Sequence, residues 1–224
     1  MRLYKFTGRA EFALSAIERK RLKLGTIDDL NDPFEFRAYH LKNRSERAEF
    51  EKHRKSFGEK AGIISFSATW RNPLLWGHYG DNHRGICLGF DVPENAALKV
   101  NYVSERLSAS PNYVDMGKLR FPVELAATKF DHWGYEEEYR LVSWLGAKDP
   151  VTGLFFAPFQ KDLKLQEVIF GAQCKVPLDD IEALVGSSSD IKITTARLGF
   201  RRFEVTEQKL ARLQQKRRPT SKPK

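Results

Sequence analysis

Two short apolar runs limit what this chain can fold into. Gly62-Ile63-Ile64-Ser65-Phe66-Ser67 and Gly85-Ile86-Cys87-Leu88-Gly89-Phe90 are rich in β-formers and punctuated by glycine and serine. Runs this short, without helical period, read as buried strands. Around them, residues 2–7 alternate and are aromatic, residues 135–145 form a longer β-rich stretch, and 100–103, 121–123, 167–170, 191–195 and 200–205 supply further strands. Helical spacing appears at 9–24, with Gly25 as its C-cap, and at 43–60, 72–81, 125–133 and 177–184. Strands and helices follow no regular βαβ alternation, which predicts an α+β fold with a mostly antiparallel sheet, continuous or split, and flanking helices.

The charge is concentrated at one end. The chain carries 38 Lys and Arg against 29 Asp and Glu, for a net +9. Residues 207–224 hold seven of the basic residues and one acid, so this stretch alone is +6. It has no aromatic residue and two prolines. The expectation is therefore a single domain over 1–206, followed by a basic, disordered tail over 207–224. Such a tail suits a solubilising role or contact with nucleic acid or an acidic partner. No run of about 18 apolar residues is present, so no membrane involvement is expected, and the N-terminus lacks a signal-like apolar core. Two cysteines, Cys87 and Cys174, make neither a disulfide framework nor a four-cysteine zinc site. A cytoplasmic protein is the simplest reading.

Three segments hold more polar chemistry than packing requires. Asn31-Asp32-Pro33-Phe34-Glu35 reads as a turn with no derived role for its acids. In the second segment Ser65 and Ser67 share a strand face, and Trp76 and Tyr79 share a helix face, where they either stack on a planar ring or fill the core. His78 and His83 lie nearby, but their spacing misses the helical i, i+4 pairing and no metal site is assigned. In the third segment, Glu136, Glu138 and Arg140 fall on one strand face, the two glutamates about 7 Å apart. The alternatives there are a carboxylate pair facing a cleft and an ordinary Glu138–Arg140 ion pair on a solvated strand. No nucleophile elbow, P-loop or dinucleotide-binding glycine fingerprint is present.

Taken in order, Leu3-Tyr4-Lys5-Phe6, Asn31-Asp32-Pro33-Phe34-Glu35, Phe66-Ser67, Trp76-Gly77-His78-Tyr79 with His83-Arg84-Gly85-Ile86, and Trp133 to Arg140 closely resemble the bacterial domain-of-unknown-function family 2971. A more distant similarity joins Lys5, Ser65-Phe66-Ser67 and Glu136-Glu137-Glu138 to ADP-ribosyltransferases of the arginine-serine-glutamate type, with lysine where that class has arginine. The second resemblance implies an ADP-ribosyltransferase-like fold and NAD as a consumed substrate, in a transferase or glycohydrolase, in a toxin or phage-defence setting. It implies that Glu138 stabilises an oxocarbenium-like ribose and that Glu136 orients or deprotonates the acceptor. Ser65 and Ser67 would then hold ribose or carboxamide, Trp76 or Tyr79 would stack on nicotinamide, and Lys5 would meet a phosphate. The acceptor would be a protein or nucleic acid. Two alternatives stand beside it: a nucleic-acid-binding module using the tail and exposed aromatics at Trp76, Tyr79, Trp133 and Tyr135, and a metal-dependent nucleic-acid hydrolase using His78 and His83.

Overall fold

The computed structural model describes residues 1–108, 123–160, 162–186 and 190–217. In chain order the elements are β1 (Arg2–Thr7), α1 (Ala10–Glu18), β2 (Arg21–Leu24), β3 (Tyr39–His40), α2 (Arg44–Gly58), β4 (Ala61–Ser67), α3 (Pro73–Tyr79) and β5 (Ile86–Asp91). There follow β6 (Leu98–Lys99), β7 (Asn101–Val103), β8 (Leu107–Ser108), α4 (Val123–Ala126), β9 (Thr128–Phe130) and β10 (Glu138–Trp144). The chain ends with β11 (Phe155–Pro158), β12 (Lys164–Phe170), α5 (Leu178–Val185), β13 (Lys192–Leu198) and β14 (Val205–Glu207). The fold is α+β with a large, mostly antiparallel sheet.

The described chain forms two compact units. The first comprises 1–21, 66–93 and the chain from 158 onward; the second comprises 22–65 and 94–157.

In the first unit the strands run β14-β13-β12-β5-β1. β1 is antiparallel to β5 and meets the end of β4 at Tyr4 and Ser67. Among the described residues of this unit the parallel pair is β12 with β13, and α5 lies in the connection between them, as a parallel pair requires a crossover. Leu88, Phe90, Val168, Ile169 and Phe170 are buried, which is why the β5 run reads as continuously apolar. In α1, Ala13 and Ile17 stand one turn apart and both are buried. Residues 208–217 belong to this unit: the Leu178 N–H donates to the Lys216 carbonyl, and Arg217 pairs with Glu182. Residues 218–224 of the expected tail lie outside the described residues.

In the second unit β10 pairs antiparallel with β6, β7 pairs parallel with β9, and β3 pairs parallel with β8. One core patch joins Ile27, Phe36, Ile63 and Ala126, and another joins Tyr39, Phe50 and Leu125 beneath α2.

Four sequence expectations are corrected. The stretch 200–205, expected as a strand, is a turn through Glu204, and β14 starts only at Val205. The helix over 9–24 stops at Glu18, because Lys20 turns left-handed (φ 48°) and Leu22 and Leu24 then bury alternately around exposed Lys23. A period of two wins over 3.6, and Gly25 exchanges backbone hydrogen bonds with Ile63 instead of capping a helix. The helix over 125–133 is a single turn, α4, followed by β9 and a 3-10 turn at Asp131–Glu136. The strand over 135–145 begins only at Glu138, because Glu137 is left-handed (φ 45°). Of the strand expected at 121–123, residues 121 and 122 lie outside the described residues, and Val123 opens α4.

The entry to β5 is fixed by close backbone approach. A Cβ at Gly85 would stand 2.2 Å from the Thr7 carbonyl oxygen and 3.1 Å from that of Gly80. Neither is a flexible side-chain end, so Gly85→Ala is expected to lower stability by about 1–3 kcal/mol, read as a fall in the urea midpoint.

Candidate functional site

The chemistry of the second unit gathers on a fully buried guanidinium. Arg140 is 0% exposed and sits on β10 two residues from Glu138, so both side chains point to one face. Its Nε donates to Glu138 Oε1 at 2.8 Å, and its Nη1 donates to the Ala126 carbonyl at 2.9 Å. Its Nη2 reaches both carboxylate oxygens of Glu35, at 2.7 and 2.8 Å, and Glu138 Oε2 at 3.0 Å. The planar fork of arginine makes this saturation possible.

A second cation completes the group. Lys129 on β9 places Nζ 2.5 Å from Glu136 Oε2, 3.1 Å from Glu138 Oε2 and 3.3 Å from Glu35 Oε1. The same ammonium stands 4.9 Å from the centre of the Trp133 ring. Three carboxylates and two cations, all buried, thus form one network with a formal charge of −1.

Two turns deliver the acids. In the first, the Phe34 N–H donates to Asp32 Oδ1 and the Glu35 N–H to the Asp32 carbonyl, and Phe36 follows left-handed at φ 58°. This turn aims Glu35 inward and gives Asn31-Asp32-Pro33 a structural purpose. In the second, Glu137 is the left-handed residue between Glu136 and Glu138. The glutamates therefore meet through a hinge, and strand alternation, which the sequence spacing suggests, does not bring them together.

The field of the network shifts its members. Burial alone would raise the Glu138 carboxyl, but Arg140, Lys129 and a hydrogen bond from Ser65 hold it down at about 2. Burial alone would lower Lys129, but Glu138, Glu35 and Glu136 hold it above its ordinary value. Burial pushes the Tyr102 phenol up to about 12, and its oxygen accepts the Glu138 backbone N–H.

A cavity of about 240 Å³ adjoins this network within the second unit. Glu35 and Lys129 belong to its wall, together with Thr128 and Val103. Phe34 and Arg106 also line it, with the Arg106 guanidinium 5.4 Å from the centre of the half-exposed Phe34 ring.

Of the residues singled out in the sequence, Glu136, Glu138 and Ser65 come together in the buried network, behind the cavity wall that Glu35 and Lys129 help to form. Ser67, two residues along β4 from Ser65, is buried in the first unit and its Oγ accepts the Thr69 N–H. Lys5, Trp76 and Tyr79 also belong to the first unit. The Trp76 indole is wholly buried: its Nε1 donates to the Trp70 carbonyl, Phe6 meets it edge-on at 5.0 Å and His83 stacks on it at 6.0 Å. Core packing is what surrounds this ring.

The polar stretch after Trp76 has a backbone explanation. Asp81, Asn82 and His83 are consecutive left-handed residues (φ 47°, 51° and 69°), and Asp, Asn and His are the non-glycine types enriched there. Among the described residues no group of three or more His, Cys, Asp or Glu is arranged to hold a metal ion. No helix among the described residues is long and apolar enough to cross a membrane.

Sequence reasoning missed Lys129, Arg140 and Glu35 as one unit. The available signal was an arginine and a lysine placed within otherwise burying stretches, Glu-Tyr-Arg-Leu-Val and Leu-Ala-Ala-Thr-Lys-Phe. Comparison of the chain with protein-family models, curated proteins and solved structures returns no match.

Two outcomes test this geometry. Because the Glu138 carboxyl is held below its ordinary 4.5, its contribution to stability is full above that value and is lost as pH falls towards about 2. Thermal unfolding followed by tryptophan fluorescence should show Tm falling across this window. Glu138→Gln should flatten the slope and cost about 3–5 kcal/mol, because it leaves Arg140 under-compensated. At the exposed hinge, Glu137→Gly should hold or raise Tm, whereas branched Glu137→Val should lower stability by about 1–2 kcal/mol.

Proposed function

We propose that the second unit carries an NAD-consuming site of the ADP-ribosyl-transfer class, acting as a transferase or a glycohydrolase. Kinship with family 2971 and with the arginine-serine-glutamate transferases belongs to the same proposal. The observation that carries it is the contact of Ser65 with an ionised Glu138, inside a network whose Lys129 and Glu35 also line a cavity.

In this reading Phe34 stacks on a planar ring, and Arg106 and Lys129 supply positive charge for the pyrophosphate. The nicotinamide–ribose bond breaks with its electron pair leaving on nicotinamide. Positive charge develops on the ribose, and the Glu138 carboxylate stabilises it in a site of low dielectric. An acceptor hydroxyl, or water, then bonds to the anomeric carbon and loses its proton to Glu136. A phosphate at Lys129 would add an anionic partner to the three carboxylates the ammonium already holds and loosen its grip on them.

The test incubates the full chain with NAD, with and without protein and nucleic-acid acceptors, and measures released nicotinamide. Release should occur, and Ser65→Ala should lower it about 10- to 100-fold while Tm falls by only about 3–10 °C, the cost of one hydrogen bond to a buried charge. Absence of release under every condition, or equal release by Ser65→Ala and Glu138→Gln, overturns the reading.

A further inference from the structure

The last 28 residues hold an asymmetry that the NAD site does not use. From 197 to 224 the chain has ten lysines and arginines against two glutamates, +8 of its net +9. The same stretch contains the two most exposed large apolar side chains among the described residues: Phe200 is 91% exposed and Phe203 is 102% exposed. Both sit on the turn that joins β13 to β14 in the first unit.

The turn is held firmly. Leu198 pairs with Val205, the Gly199 N–H donates to the Glu204 carbonyl at 2.8 Å, and the Glu204 N–H donates to the Arg202 carbonyl at 2.9 Å. A Cβ at Gly199 would come within 2.9 Å of both carbonyl oxygens, so this closure needs glycine. The two rings are therefore presented outward by a closed turn, with exposed Arg201 and Arg202 between them. Arg197 already lies over the Phe200 ring, its guanidinium 4.8 Å from the centroid. Exposed rings of this kind lose free energy to water unless something flat or apolar covers them.

We propose that this turn is a seat for single-stranded nucleic acid, in which bases stack on Phe200 and Phe203 while Arg197, Arg201 and Arg202 meet phosphates. Stacking asks only for a ring face, which every base offers, and a polyanion is the partner that a long one-signed charge run selects. Positive charge also continues past the turn in the same unit, where Lys209, Arg212 and Lys216 are exposed, as contact with several successive phosphates requires. An anionic bilayer shares the negative charge but meets a turn at one point, leaving most of that run unused. The seat lies in the first unit and is independent of the NAD reading. It relocates the aromatic component expected at Trp76, whose ring is buried.

The experiment is fluorescence anisotropy of the full chain with a labelled oligothymidine of about 20 nucleotides, over a salt series. Binding should weaken steeply with salt. Phe200→Ala/Phe203→Ala should weaken it by about tenfold or more with the salt slope unchanged. Arg201→Ala/Arg202→Ala should reduce the log–log slope by about 1.4, roughly 0.7 per phosphate on a single strand. All four positions are exposed, so folding should be kept, and circular dichroism checks it. No binding at low salt, an unchanged affinity in the phenylalanine variant, or equal affinity for duplex of the same length overturns the proposal. So does binding to phosphatidylglycerol vesicles that requires both phenylalanines while the oligonucleotide does not bind.

Discussion

The second unit depends on the saturation of one guanidinium. Arg140 is buried without a hydrogen-bonding shortfall because a turn, a helix end and its own strand each bring it a partner: Glu35, the Ala126 carbonyl and Glu138. A buried charge is tolerated only when its partners are in place, so these segments are tied to one another's positions. Lys129 extends the same bond set to Glu136, at the end of the 3-10 turn. Position is specified here more than stability is gained, since desolvating five charged groups offsets much of their attraction.

That organisation makes the site both well ordered and electrically poised. Arg140 and Lys129 hold the Glu138 carboxyl below its ordinary range, and its charge is shared between these two cations of different character. The arginine is fully enclosed. The lysine pairs with Glu136 and Glu138 and, with Glu35, forms part of the cavity wall.

Much of the fold was legible because it rests on local rules. The apolar runs in β4 and β5 and the helical spacing over 43–60 and 72–81, where α2 and α3 form, are short-range signals. Failures came where a single backbone reversal changed the period. Lys20 and Glu137 adopt left-handed conformations that no side-chain property of lysine or glutamate announces. The network was half legible. Glu136 and Glu138 stood out by spacing, and the Glu138–Arg140 face by alternation. Lys129 and Glu35 join only through tertiary structure, and nothing in residues 31–35 or 125–130 links the two segments in sequence. The aromatics show the same boundary: Trp76 and Phe200 look equally available in a string of letters, and only packing separates a core indole from a ring in water.

The left-handed link at Glu137 also governs how this region tolerates change. Two acids brought together by a pleat would survive a shift of two positions, because a strand repeats itself. Two acids brought together by one reversed residue have no such translational freedom. Insertion or deletion of even a single residue between Trp133 and Arg140 would swing one carboxylate away from the ammonium it shares. In this segment the number of residues is therefore more tightly held than their identity, and related chains would be expected to vary its letters before its length.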